Sequence, residues 1–224
     1  MLVLHYTGMR SGAEALERLL DPAAQVSAHY LVEEDGGVVN LVPEARRAWH
    51  AGVSFWAGER DINDVSIGVE IVNPGHEWGY RPFPEVQIAG LISLLDDIRG
   101  RWAISDARII GHADVAPDRK MDPGELFPWD HLAARGHGLW VDPPAPARSA
   151  LKLGDRGEAV AGLQGDLAGL GFEQTSHGRF DAATRARLVA FQRHWVQSRV
   201  DGVADAVTLA RLGALALARL GALG

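Results

Sequence analysis

His5, Glu70, His112, Lys120 and Asp122 are residue types that together could carry out a metal-assisted hydrolysis. The chain has no cysteine, so a zinc ion would have to be held by histidine, aspartate, glutamate and water. A hydrolytic zinc centre needs about three nitrogen or oxygen ligands with one position open, a carboxylate that moves protons, and a cation facing the growing oxyanion. His112, Lys120 and Asp122 fall in "GHADVAPDRKMDPG", residues 111–124, where charged groups crowd a turn-rich loop behind the apolar "RII" of 108–110. A solvated loop would account for the charge. It would not account for the apolar run, which predicts the end of a short buried strand delivering His112 to a rim. Each residue also has a plainer role: Asp122 before Pro123-Gly124 is ordinary turn chemistry, Glu70 could pair with an arginine across a sheet, Lys120 alone would be a solvated charge, and a single histidine is more often structural than ligating. Spacing by itself leaves both readings open.

The elements that must position these residues are legible in the patterning. "LVLH" predicts a strand ending on His5, and "SGAEALERLL" at 11–20 predicts a helix capped by Ser11 and stopped at Asp21-Pro22. Apolar runs on either side of Asp35-Gly36-Gly37 predict a hairpin. "SIGVEIV" at 66–72 alternates as a strand, with Gly68, Glu70 and Val72 on one face. "FPEVQIAGLISLLDDIRGRW" predicts a helix from near Pro84, with Val86, Ala89, Gly90, Ile92 or Ser93, Leu94 and Ile98 along its apolar face. "SFWAGERDIND" at 54–64 reads as a polar surface loop over the cleft. A hairpin together with a strand, helix, strand succession implies an α/β domain with a mixed central sheet and flanking helices.

"VDPPAPARSA" at 141–150 has the composition of a linker and divides the chain into about 1–140 and 151–224. The second part predicts a small three-helix domain. Val160, Leu163, Leu167 and Leu170 recur at helical spacing before Gly171; Asp181 caps a helix that buries Leu188, Phe191 and Trp195; Asp205 caps the last.

The formal charge of −7 over 224 residues, with no basic stripe, argues against a nucleic-acid partner. No apolar run is long enough for a transmembrane segment, and "MLVLHYTGMR" lacks a signal-peptide core, so the chain as written is expected in the cytoplasm; a start lying upstream would place it in the periplasm or cell envelope. The sequence does not set an oligomeric state.

Taken together and in order, "LVLHYTG", "SAHYLVEEDG", "AWHAGVSFW", "NDVSIGVEIVNPG" and "GHADVAPDRKMDPG" resemble the zinc-dependent N-acetylmuramoyl-L-alanine amidases of the AmpD and AmiD type (amidase_2), over about residues 2–130. The resemblance implies Zn2+ on His5, His112 and Asp122, with Glu70 as the catalytic carboxylate and Lys120 beside it. None of the five is replaced, which favours an active enzyme over the metal-free peptidoglycan sensors of the same fold. The implied reaction is hydrolysis of the amide between N-acetylmuramic acid, or its 1,6-anhydro form, and L-alanine of the stem peptide, so the expected partners are peptidoglycan or muropeptide fragments. "GDRGEAVAGLQ", "AFQ" and "DG" in the second part resemble a peptidoglycan-binding domain, although "EQTSHG" departs from the commoner loop. The alternatives are a non-catalytic wall-binding or sensing protein, and a zinc endopeptidase acting within the stem peptide. As further substrate contacts, His29, Tyr30, Trp49 and His50 are candidates for lining the groove, or equally for core packing, and Asn73 and Arg119 for binding peptide carboxylates.

Overall fold

Strands β1 (Leu2–Tyr6), β2 (Tyr30–Val32), β3 (Val38–Asn40), β4 (Ile67–Ile71) and β5 (Ile109–Gly111) form a single sheet in the order β3-β2-β4-β1-β5. The structure is a computed structural model and describes residues 1–142 and 149–221. Most of the proline-rich stretch expected as a linker lies outside the described residues. Only the β2–β3 hairpin pairs antiparallel; β2–β4, β4–β1 and β1–β5 are parallel. The mixed sheet is as the sequence predicts. Its parallel register sets His5 directly opposite Glu70, so both side chains leave the same face at the carboxyl ends of adjacent strands. In open sheets with parallel strands, that end is where ligands bind.

The helices are α1 (Gly12–Leu20), α2 (Gly75–Trp78), α3 (Glu85–Arg101), α4 (His112–Val115), α5 (Trp129–Ala134), α6 (Glu158–Leu170), α7 (Ala182–Trp195) and α8 (Ala206–Gly221). One core joins Leu2, Leu4, Val69 and Ile71 to Leu91, Leu95 and Ile98 of α3. The buried face of α3 differs from the predicted one. Val86 and Ala89 are exposed, while Gln87 is buried and its amide donates to the Val32 and Val72 carbonyls at 3.2 and 2.9 Å. Hydropathy ranks valine above glutamine, but those strand-end carbonyls need donors, and the helix turns to supply them.

A second core runs without a break from the other face of the sheet into the C-terminal helices: Met1, Val3 and Ile110 belong to the same cluster as Leu163, Leu167 and Phe191. Each large apolar side chain so buried contributes about 1.5–3 kcal/mol. The 54–64 segment, expected as a polar loop over the cleft, is anchored in this core by Trp56 and Ile62 while Ala57, Gly58, Arg60, Asp61 and Asp64 stay exposed, and it does not line the cleft. Trp56 is buried, its ring meets Phe172 edge-on at 5.1 Å, and the Ala57 N–H donates to the Gly171 carbonyl at 2.8 Å. The count of polar residues in this segment conceals the two apolar anchors, Trp56 and Ile62, that wedge it against the helices. Within the helical part, Gln164 receives the His177 and Gly178 N–H groups at 2.9 and 2.8 Å, and Gln192 receives that of Gly202 at 2.8 Å. The glutamines of "LQ" and "AFQ" thus hold the two interhelical loops.

At the far edge of the sheet, Glu44 accepts hydrogen bonds from Arg101, from the Tyr30 hydroxyl at 2.7 Å and from the Trp102 indole at 2.6 Å. The Arg101 bonds, helped by Tyr30 and Trp102 against the opposing effect of burial, bring its carboxyl down from 4.5 to about 2. A depressed folded-state pKa contributes stability that is full above the unfolded value and lost as pH falls through the folded one. Glu44→Gln is therefore expected to melt below the wild type at neutral pH, with the gap closing as pH falls from 4.5 toward about 2, measured by thermal denaturation across pH.

Candidate metal centre

His5 Nδ1 and His112 Nδ1 lie 2.9 Å apart, and Asp122 Oδ2 is 3.0 Å from each. All three residues are buried, and among the described residues they are the one cluster of histidine and carboxylate donors compact enough to hold a metal ion. His5 arrives on β1, His112 opens α4 immediately after β5, and Asp122 returns beneath them because its carbonyl accepts the Ala113 N–H at 2.8 Å. The Asp122-Pro123-Gly124 turn is pinned by Tyr80, whose hydroxyl donates to the Pro123 carbonyl at 2.7 Å and accepts the Leu126 N–H at 2.9 Å. Gly111 admits this close approach: a Cβ there would sit 2.7 Å from Pro123 Cδ.

The donor set fits zinc. His112 Nε2 is 3.1 Å from the Ala51 carbonyl, which can only accept, so the ring's proton sits on Nε2 and its Nδ1 lone pair faces the other two groups. Burial and the neighbouring His112 push His5 down to about 4, against the pull of Asp122, so its ring is neutral at physiological pH. Burial alone would raise the Asp122 carboxyl, but the two histidines outweigh it and hold it well below the ordinary range. Two imidazoles and a carboxylate converging on one point make a ligand set typical of hydrolytic zinc sites.

Glu70 stands beside this triangle on β4. Burial, with the charge of Asp122 adding to it and Lys120 opposing, raises its carboxyl well above the usual carboxylate range, and its Oε2 has no hydrogen-bond partner. Glu70, Lys120, Trp49, His50 and Arg119 line the same cleft of roughly 390 Å³ as the three donors.

The remaining candidates divide. Trp49 is 60% exposed at the rim with the Arg47 guanidinium 4.9 Å over its ring. His50 is buried behind His5, with its Nδ1 3.1 Å from His5 Nε2; burial and three neighbouring imidazoles, His5 first, hold it well below the ordinary histidine value. Arg119 borders the cleft, and its guanidinium donates through Nη2 to the Ala51 and Val53 carbonyls at 2.6 and 2.5 Å and through Nε to Val53 at 3.1 Å, which ties that edge of the fork to the backbone. His29, Tyr30 and Asn73 do not line the cleft. His29 is fully buried between the Arg46 carbonyl and the Gly68 N–H, Tyr30 bonds Glu44, and Asn73 braces the turn into α2 through the Arg81 carbonyl and the Gly75 N–H. Each satisfies backbone or side-chain groups that the sheet leaves unpaired, a demand that composition does not reveal.

Sequence reasoning missed the opposite wall. The Tyr6 hydroxyl, pushed up to about 12 mainly by burial and by Asp122, donates to His76 Nδ1 at 3.0 Å, and His76 Nε2 lies 3.2 Å from both Glu125 oxygens. Tyr6 and His76 both line the cleft. The available signal was topological: His76 follows β4 at the same strand end that presents Glu70.

Known proteins are similar to this chain. The family model described as N-acetylmuramoyl-L-alanine amidase matches residues 1–125, and that of the peptidoglycan binding domain matches residues 156–212. The chain is 38% identical over 231 residues to the N-acetylmuramoyl-L-alanine amidase AmiD of Escherichia coli (strain K12), covering 96% of this chain and 81% of that one. It is 39% identical over 109 residues to the 1,6-anhydro-N-acetylmuramyl-L-alanine amidase AmpD of Enterobacter cloacae, which spans 49% of this chain and 56% of AmpD. Among solved structures it is similar to AmiD from E. coli in complex with the substrate anhydro-N-acetylmuramic acid-L-Ala-D-gamma-Glu-L-Lys, with a TM-score of 0.82 and 37% identity, covering 96% of this chain and 87% of that chain. With both the family model and a near full-length relative in agreement, the chain belongs to the N-acetylmuramoyl-L-alanine amidase family.

Proposed function

We propose that this chain hydrolyses the amide between N-acetylmuramic acid, or its 1,6-anhydro form, and L-alanine of the stem peptide in wall turnover, with zinc on His5, His112 and Asp122. The observation that carries the reading is the donor triangle with 2.9 to 3.0 Å edges, facing Glu70 across one strand pairing. Zinc in a site of this kind supplies Lewis acidity to the scissile carbonyl and to water. Glu70, whose Oε2 has no internal partner, takes the proton of the attacking water and passes it to the departing alanine nitrogen. Lys120 faces the carbonyl oxygen as negative charge accumulates there. Residues 1–140 carry this chemistry and residues 151–224 engage peptidoglycan, in line with the family match at 156–212. Among the described residues no helix is long and apolar enough to cross a membrane.

Product mass after incubation with anhydro-muramyl tripeptide and with intact sacculi tests the proposal. Release of a peptide with a free L-alanine amino terminus supports it, whereas cleavage within the stem peptide would assign an endopeptidase and retention without cleavage a binding protein. Dialysis against a chelator is expected to abolish turnover, and one equivalent of zinc to restore it.

A further inference from the structure

Adjacent residues of "AWHAG" each meet one of the two metal-facing histidines, and with one hydrogen on each ring, the form in which a histidine binds a metal, their partners allow one distribution. Ser66 Oγ lies 2.5 Å from the Ile62 carbonyl, which has no hydrogen to give, so the single hydroxyl proton points there. Ser66 must then accept from His50 Nε2, 3.2 Å away, which places the proton of that neutral ring on Nε2 and leaves Nδ1 bare. His50 Nδ1 is 3.1 Å from His5 Nε2 and accepts its proton, so His5 Nδ1 is bare as well. Separately, the next residue along, Ala51, uses its carbonyl to hold the proton of His112 on Nε2. The chain Ile62, Ser66, His50, His5 and the bond from His112 to Ala51 therefore converge on the same outcome: both Nδ1 lone pairs, 2.9 Å apart, are turned toward Asp122.

We infer that the His50-Ala51 dipeptide, with Ser66, is a positioning element that holds both ligand histidines by Nε2 and so turns Nδ1 of each toward the ion. Its own placement is fixed twice. Asn63 Oδ1 accepts the His50 and Ala51 backbone N–H groups at 3.0 and 2.8 Å, holding the dipeptide as one unit. The His50 ring packs over Gly68 of β4, where a Cβ would come within 2.4 Å of His50 Cγ. The glycine of "SIGVE" is thus space reserved for a ring that never touches the ion. Orienting partners of this type are worth about 10- to 100-fold in metal affinity.

The inference rests on the ligand set proposed above, and the test separates the two. In the full-length zinc-loaded protein, long-range nitrogen–proton spectra are expected to show His5, His50 and His112 all protonated at Nε2. Zinc affinity, read by competition with a chromophoric chelator, is expected to fall about 10- to 100-fold in His50→Leu and in Gly68→Ala. His50→Gln, whose amide can still accept from His5 and donate to Ser66, is expected to stay near wild type, a rescue that a purely packing role would not produce. A proton on Nδ1 of His5 or His50 in the wild type, or wild-type affinity in folded His50→Leu, overturns the inference. Should His50→Leu fail to fold by its melting curve, the wild-type spectrum and the Ser66→Ala and His50→Gln affinities still decide. Absence of zinc binding by the wild type would instead overturn the ligand set.

Discussion

Glu70→Gln is expected to lower kcat by about 10²- to 10⁴-fold, the usual worth of a positioned proton carrier, while zinc content and melting temperature stay close to wild type. Glutamine keeps the shape of the side chain but cannot hold a proton and release it. The substitution should fold well, because Glu70 Oε2 makes no internal hydrogen bond that glutamine would break. The pH profile gives a second check. A general base works in its ionised form, so the rate falls as pH drops through its pKa, and burial has raised that of Glu70 well above 4.5. The acid limb of kcat/KM is expected above the range of an ordinary carboxylate and should vanish in the residual activity of the variant. Substantial turnover by Glu70→Gln would move the proton-carrying role to another group in the cleft.

The second large effect concerns stability and comes from the C-terminal helices. His194 of α7 is buried between Trp129 and Trp195, its ring centroid 3.6 and 3.5 Å from theirs, and its Nδ1 is 2.7 Å from Asp114 Oδ2. The same Asp114 oxygen accepts the Gly111 N–H at 2.7 Å, at the point where β5 passes into α4 and presents His112. His194→Ala removes the ring from this stack and leaves a buried carboxylate with one partner fewer, a change of about 3–5 kcal/mol. At roughly 2–4 °C per kcal/mol for a chain of this size, the melting temperature should fall by about 6–20 °C. Burial lowers the His194 pKa against the attraction of Asp114. Its contribution is therefore full above the ordinary 6.5 and declines as pH falls below it, so calorimetry should find the wild type losing stability in mild acid and the variant less pH-sensitive. Zinc affinity is expected to weaken too, because Asp114 lies two residues beyond His112. A melting temperature unchanged by His194→Ala would show the helices to be passengers on the sheet.

The three proposed ligands stand out in the sequence because each marks a change of pattern: His5 at the end of an apolar run, His112 just after another and Asp122 in a proline-flanked turn. It was the resemblance of the ordered motifs, however, that singled them out as a set, and the structure brings their donor atoms together. The strand register that sets Glu70 opposite His5 follows from the two-residue alternation of "SIGVEIV" once the strands are parallel. Hydrogen-bond obligations were not legible. Gln87, His29 and Asn73 are buried because particular backbone groups lacked partners, and which groups those would be is decided only when distant segments meet. The same holds for Trp56 and Ile62. In a short segment without periodicity, nothing in the order of residues distinguishes an anchor from an exposed side chain. Tyr6 and His76 were missed because their role depends on Glu125, which reaches them from 49 positions beyond His76.

The central place of β1 bears on how the molecule comes into being. Residues 2–6 pair with strands at 67–71 and 109–111, and His5 meets its partners 107 and 117 positions further on. Contacts of such long separation are slow to form, since the intervening chain must first be brought around. During synthesis the first strand therefore waits for β4 until about a third of the chain has left the ribosome, and for β5 until about half has. A nascent chain halted before Asp122 lacks one of the three proposed ligands, which would make zinc capture a reporter for closure of the sheet around β1.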